Sequence, residues 1–124
     1  MAKKIIIADD EPVVRQVLKQ VLQSEGYDVI EAENGEEAVK LVKSEKPDLL
    51  ILDVRMPVMD GMQACRVIRQ LDEPMRNVPI IILTAVDTTL GRRVSAELGV
   101  DMYLTKPISP KELRSKVREL VGPP

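Results

Sequence analysis

Leu49-Leu50-Ile51-Leu52-Asp53, continuing into Val54-Arg55-Met56-Pro57, decides how the rest of the chain is read. An unbroken aliphatic run closed by a carboxylate predicts a buried strand that carries an acid to its C-terminal tip. In open parallel α/β sheets that tip is where ligands bind. Taken alone, Asp53 could equally cap the following turn. The same pattern recurs elsewhere in the chain, and the recurrence makes Asp53 a candidate site residue.

Outward from that run, Lys4-Ile5-Ile6-Ile7-Ala8 is a second apolar stretch, ended by Asp9-Asp10-Glu11. Pro12 suits the first turn of a helix. Val13, Val14, Val17, Leu18, Val21 and Leu22 predict the face of that helix that packs on the sheet, with Gly26 as its stop. Asp28-Val29-Ile30-Glu31 reads as an edge strand. Asn34, with Glu37 three residues on, opens a helix whose apolar face is Ala38, Leu41 and Val42, and Pro47 ends it.

Beyond Asp53, Asp60-Gly61 reads as a turn and cap before a helix from Met62 to Leu71. Met56 and Met59 are assigned to packing rather than to ligands. Pro79–Thr84 is the fourth strand, ending in a hydroxyl. Leu90, Val94 and Leu98 predict a helix stopped by Gly99, and Gly91 inside it predicts the least stable helix of the chain. Asp101–Thr105 is the fifth strand, tipped by Lys106-Pro107. Ser109-Pro110-Lys111-Glu112 is a helix-start signature, and Leu113, Val117, Leu120 and Val121 face the core. Lys40, Lys43, Arg114 and Arg118 belong to solvated helix faces. Five strands alternating with five helices predict a doubly wound parallel sheet in one domain, residues 1–124.

Composition narrows the chemistry. The 124 residues are 44% hydrophobic and 31% charged, as in an ordinary globule, and the net charge of -2 offers no basic field for nucleic acid. There is no His, Phe or Trp. Ser-His or Cys-His catalysis and His-ligated metals are therefore excluded, and base-stacking surfaces are disfavoured. One cysteine, Cys65, reads as a small buried hydrophobe and fits a reducing, cytoplasmic compartment. Met1-Ala2-Lys3-Lys4 is followed by too short an apolar run for a signal peptide, and no run reaches transmembrane length.

Right-handed crossovers bring the strand tips to one edge, so Asp9-Asp10, Asp53, Thr84 and Lys106 converge at the ends of the four strands expected at the sheet centre. Crowded carboxylates repel unless a cation sits among them, and oxygen-only ligands suit Mg²⁺. A carboxylate, a lysine and a hydroxyl around such a cation form an arrangement for phosphoryl transfer to an aspartate. The chain has neither histidine nor a nucleotide-binding loop, so the donor is expected in trans.

Ile5-Ile6-Ile7-Ala8-Asp9-Asp10-Glu11, Leu52-Asp53-Val54-Arg55-Met56-Pro57-Val58-Met59-Asp60-Gly61, Ile82-Leu83-Thr84-Ala85 and Tyr103-Leu104-Thr105-Lys106-Pro107 resemble, in order, the receiver domain of two-component response regulators of the chemotaxis-regulator type. The resemblance spans the whole chain. It implies a flavodoxin-like (βα)5 fold with strand order 2-1-3-4-5. Asp53 would accept phosphoryl from the phosphohistidine of a sensor histidine kinase or phosphotransfer domain. Asp10, Asp53 and the main-chain carbonyl of Arg55 would bind Mg²⁺ directly and Asp9 through water, with Mn²⁺ as a substitute. Lys106 would contact phosphoryl oxygens, and the Lys106-Pro107 peptide would be cis. Thr84 and Tyr103 would form the switch, the ring turning inward as the hydroxyl moves to the phosphoryl group.

On this reading the chain is a signalling phosphoacceptor and not a turnover enzyme. Its output surface is the Leu90–Leu98 helix, the Tyr103 strand and the Leu113–Val121 helix, pairing with an effector, an output domain or a second copy. Arg55 and Val86, two residues beyond Asp53 and Thr84, offer nothing to orient water, which predicts a long-lived phosphoryl group. The alternative is a receiver-like interaction module that works without phosphorylation. An aspartyl-phosphate hydrolase would typically need an acid where Arg55 stands, and acidic strand tips would repel a flavin phosphate.

Overall fold

In the computed structural model, which describes residues 2–124, five parallel strands form one sheet in the order β2-β1-β3-β4-β5. Met1, the first residue of the short N-terminal stretch, lies outside the described residues. The strands are β1 (Lys4–Ala8), β2 (Asp28–Ala32), β3 (Leu49–Leu52), β4 (Ile80–Thr84) and β5 (Met102–Thr105). They alternate with α1 (Pro12–Ser24), α2 (Gly35–Glu45), α3 (Gly61–Arg69), α4 (Thr89–Glu97) and α5 (Pro110–Val121). A 3₁₀ turn at Met75–Asn77, not expected from the sequence, precedes β4.

Strand alternation divides the core. Ile6, Leu50, Leu52, Ile80 and Ile82 face Ala38 and Val42 of α2 and Ala64 and Ile68 of α3. Ile5, Ile7, Leu49, Ile51, Ile81 and Leu83 face Leu18 and Leu22 of α1 and Leu113 and Val117 of α5. Burial on both faces is why the strands are near-continuous aliphatic runs. The helix signals are realised as hydrogen bonds. Asn34 accepts from Glu37 N at 2.8 Å, Asp60 and Gln63 form a reciprocal capping box, and Ser109 accepts from Glu112 N at 3.1 Å.

Three expectations are corrected. First, β5, whose tip was counted among four central strands, is an edge strand, as the implied order 2-1-3-4-5 requires; it is bonded only to β4 and its residues are half-buried. The short polar-flanked β2 is the other edge. Second, the α1 face is rotated from the predicted stripe. Val13 and Val17 are 73% and 51% exposed, while Arg15 between them is buried at 8%. The run of valines made a wide apolar arc, and only part of it meets the sheet. Third, α3 spans Gly61–Arg69, so Leu71 lies beyond it. Its last residue, Arg69, ties down two neighbouring loops by donating to the carbonyls of Arg76 and Val78 before β4 and of Leu98 and Gly99 after α4.

The two ends of the described chain meet at the sheet edge opposite the strand tips. Lys3 Nζ donates to the Val121 carbonyl, and Tyr27 Oη donates to the Gly122 carbonyl at 2.6 Å.

Candidate functional site

The strand tips place the predicted residues around one cleft. β1 leads into Asp9 and Asp10, β3 into Asp53, β4 ends at Thr84, and Lys106 comes directly after β5. Side-chain oxygens of Asp9, Asp10, Glu11 and Asp53 lie within 4.8 Å of one another. Asp9 and Asp53 are only 2% and 7% exposed, whereas Asp10 and Glu11 face solvent. A cavity of about 260 Å³ is lined by Asp10, Glu11, Asp53, Arg55, Thr84, Ala85, Val86 and Lys106.

Lys106 joins the two buried acids. Its Nζ donates to Asp9 at 2.5 Å and to Asp53 at 3.0 Å, closing a contact across 97 residues of sequence. Burial disfavours the ammonium, but its hydrogen bonds to Asp9 and Asp53 and their charges outweigh that, and Lys106 titrates above the ordinary lysine range. The Lys106-Pro107 peptide is cis, as the resemblance implied. Asp53 is held by backbone: its N–H donates to Ala8 O at 2.9 Å, and Gly61 packs so closely on its carbonyl that a Cβ there would collide. That contact explains glycine at the start of α3.

Thr84 and Tyr103 are linked through the main chain of one residue, Val86. The buried Thr84 hydroxyl accepts from Val86 N at 3.2 Å, and Tyr103 Oη donates to Val86 O at 2.9 Å. Thr84 therefore satisfies backbone here and keeps its own hydroxyl hydrogen to donate elsewhere. Outside this link, Arg92 stacks over the Tyr103 ring at 4.7 Å and is paired to Asp87 at 2.6 Å. The α4 stripe is only partly realised. Leu90 is exposed, and Ser95 is the buried residue of the helix. Gly91 has a specific cause, since a Cβ there would lie 2.8 Å from Tyr103 Oη and 2.9 Å from Thr88 Oγ1.

Two participants were not singled out from the sequence. Glu11 joins the acidic cluster, and its place directly after Asp9-Asp10 was the available signal. Arg15 was hidden among valines, and nothing in a helical stripe announces that one charged member turns inward.

The acid donors fit a small hard cation, because all are oxygens and they converge without thiolate or imidazole. An acidic cleft bridged by lysine at the carboxyl edge of a 2-1-3-4-5 parallel sheet defines a receiver-type α/β domain. The family model described as "Response regulator receiver domain" matches residues 5–118, and the chain belongs to that family of two-component signalling domains. It is 43% identical over 121 residues to the alkaline phosphatase synthesis transcriptional regulatory protein PhoP of Bacillus subtilis (strain 168). The match covers 98% of this chain and 49% of PhoP, so the chain spans about half the length of that relative.

Among solved structures, it is similar to the receiver domain of sensor histidine kinase PA1611 from Pseudomonas aeruginosa PAO1, which has a magnesium ion coordinated in its active site cleft. That match has TM-score 0.89 and 34% identity, covering 98% of this chain and 99% of the other. A CheY-like receiver domain protein from Methanospirillum hungatei JF-1 superposes with TM-score 0.90 at 28% identity, covering 96% and 93%. Among the described residues, no helix is long and apolar enough to cross a membrane.

Proposed function

We propose that this domain takes a phosphoryl group onto Asp53 and signals through the α4-β5-α5 face. The observation that carries the reading is Lys106 bridging two buried carboxylates beside an open acidic cavity that also contains Thr84. An Asp53 carboxylate oxygen attacks phosphorus of a kinase phosphohistidine. The P–N bond breaks, its electron pair stays on the imidazole nitrogen, and an aspartyl phosphate forms. Lys106 is placed to move from the carboxylates to the phosphoryl oxygens, and the Thr84 hydroxyl to donate to one of them.

Asp10, Asp53 and the Arg55 carbonyl would hold Mg²⁺, or Mn²⁺ in its place, with Asp9 through water. The bound ion would neutralise charge on the phosphoryl oxygens. The chain would catalyse only its own phosphorylation and dephosphorylation, and it would meet its kinase in the cytoplasm. Downstream, the partner would be an output domain, an effector or a second copy of the domain.

Intact mass after incubation with Mg²⁺ and acetyl phosphate tests the acceptor. A gain of about 80 Da, one phosphoryl group of the kind this chemistry adds, is expected in wild type and absent in Asp53→Ala. No gain in either folded protein would turn the reading to an interaction module independent of phosphorylation. Lifetime is a separate prediction. Arg55 and Val86 line the cavity and supply no acid or amide to orient water, so the added mass should persist for many minutes. Loss within seconds, without an added phosphatase, would contradict that assignment.

A further inference from the structure

We infer that Arg15 is a positioning residue for the divalent-cation site, acting through the main chain of Asp9. The inference rests on the metal-site reading above. Arg15 is a buried cation on α1, and its Nη1 donates to the Asp9 carbonyl at 2.5 Å. Its Nε donates to Glu31 on β2 at 3.3 Å, and its Nη2 lies 4.0 Å from Glu33. Lys19 reaches the other Glu31 oxygen at 3.4 Å. The pairing with Glu31 meets the need of a buried charge for a partner, and the remaining arm of the fork is free to hold the carbonyl.

That carbonyl belongs to the peptide joining Asp9 to Asp10. Asp9 is fixed on every other side: its N–H donates to Ala32 O at 3.2 Å, one carboxylate oxygen accepts from Glu11 N at 3.0 Å, and the other accepts from Lys106. Asp10 is different. Its side chain is exposed, and among the described residues none donates a hydrogen bond to its carboxylate. Because a peptide is planar, pinning the Asp9 oxygen sets the orientation from which the Asp10 side chain departs. Arg15 thus aims a carboxylate it does not touch. Its two-armed geometry spans a carbonyl and a carboxylate together, which a lysine ammonium on a flexible stem does not reproduce.

Charge and positioning predict opposite signs. A cation close to an acidic cluster works against binding a dication, so removing the charge alone would tighten Mg²⁺ binding. Losing the support of a ligand typically weakens metal affinity by about 10- to 100-fold. Mg²⁺ binding to the full chain is measured by titration calorimetry, without any phosphodonor, for wild type, Arg15→Gln and Arg15→Lys. Thermal melts in EDTA run beside the titrations. Both variants are expected to bind Mg²⁺ roughly tenfold more weakly or worse, while still melting cooperatively. Affinity at or above wild type in either folded variant, even with a lowered Tm, would overturn the inference and leave Arg15 a framework residue. Should Arg15→Gln not fold, Arg15→Lys, which keeps the charge, carries the test. Failure of the wild type itself to bind Mg²⁺ would instead defeat the site reading.

Discussion

Val58 shows how a residue can be set against its own preferences. It sits at φ 68° in the loop after Asp53, and the Met59 N–H closes a tight turn onto Pro57 O at 2.7 Å. A β-branched residue in that region carries strain, and Val58 is 75% exposed, so no packing offsets it. Val58→Gly removes roughly 1–2 kcal/mol of strain and costs somewhat less in chain entropy. The variant should therefore melt a few degrees higher; an unchanged or lower Tm would show that the turn is not strained. Cys65 lies at the other extreme. Burial pushes its thiol up to about 12, with Arg69 partly opposing and Asp60 adding slightly. Iodoacetamide at pH 8 should leave the native protein unmodified and label it once unfolded, as read by intact mass.

At the scale of elements, α4 is the helix whose packing the sequence described least well. Its apolar spacing was legible, but the stripe is half spent on solvent: Leu90 is exposed, and Ser95 takes the buried position. Gly91 read as a propensity defect, although its cause is the tyrosine hydroxyl it makes room for, a contact with an edge strand that no local pattern encodes. Gly91→Ala would gain about 1 kcal/mol of helix propensity, yet its methyl would press on Tyr103 and Thr88. The expected result is loss of the Tyr103–Val86 hydrogen bond and faster amide exchange across residues 86–104. The difference in exchange between phosphorylated and unphosphorylated protein should shrink there as well. Unaltered exchange in both states would mean that the Thr84–Val86–Tyr103 connection does not couple the cleft to α4.

For the molecule as a whole, the sheet was readable because buried parallel strands are written as aliphatic runs, and each run ends on the residue it delivers. Asp9, Asp53, Thr84 and Lys106 were legible for that reason. The inward turn of Arg15 was not, since helix rotation is settled by tertiary packing; the strand order, with β5 at an edge, was available only through the family resemblance and not from any run of residues.

Stability should respond to alkali. Lys106, Cys65 and Tyr27 all titrate higher in the folded chain than their ordinary values, Tyr27 chiefly through burial. For each, the native state holds its proton more tightly. The stabilisation is complete below the unfolded pKa and drains away as pH rises through the folded one. The Tm should be level near pH 7 and fall steadily above about pH 8.5, where the unfolded thiol, and then the phenol near pH 10, lose their protons. A Tm that held constant to pH 11 would contradict the buried thiol and the lysine bridge together.

The contacts of Lys3 with Val121 and of Tyr27 with Gly122 lie at the pole away from the cleft. A short peptide could therefore join the two ends, and new termini could open after Asp72, in the exposed connection between α3 and β4. Such a circular permutant would reorder β4 and β5 ahead of β1 and leave every strand tip in place.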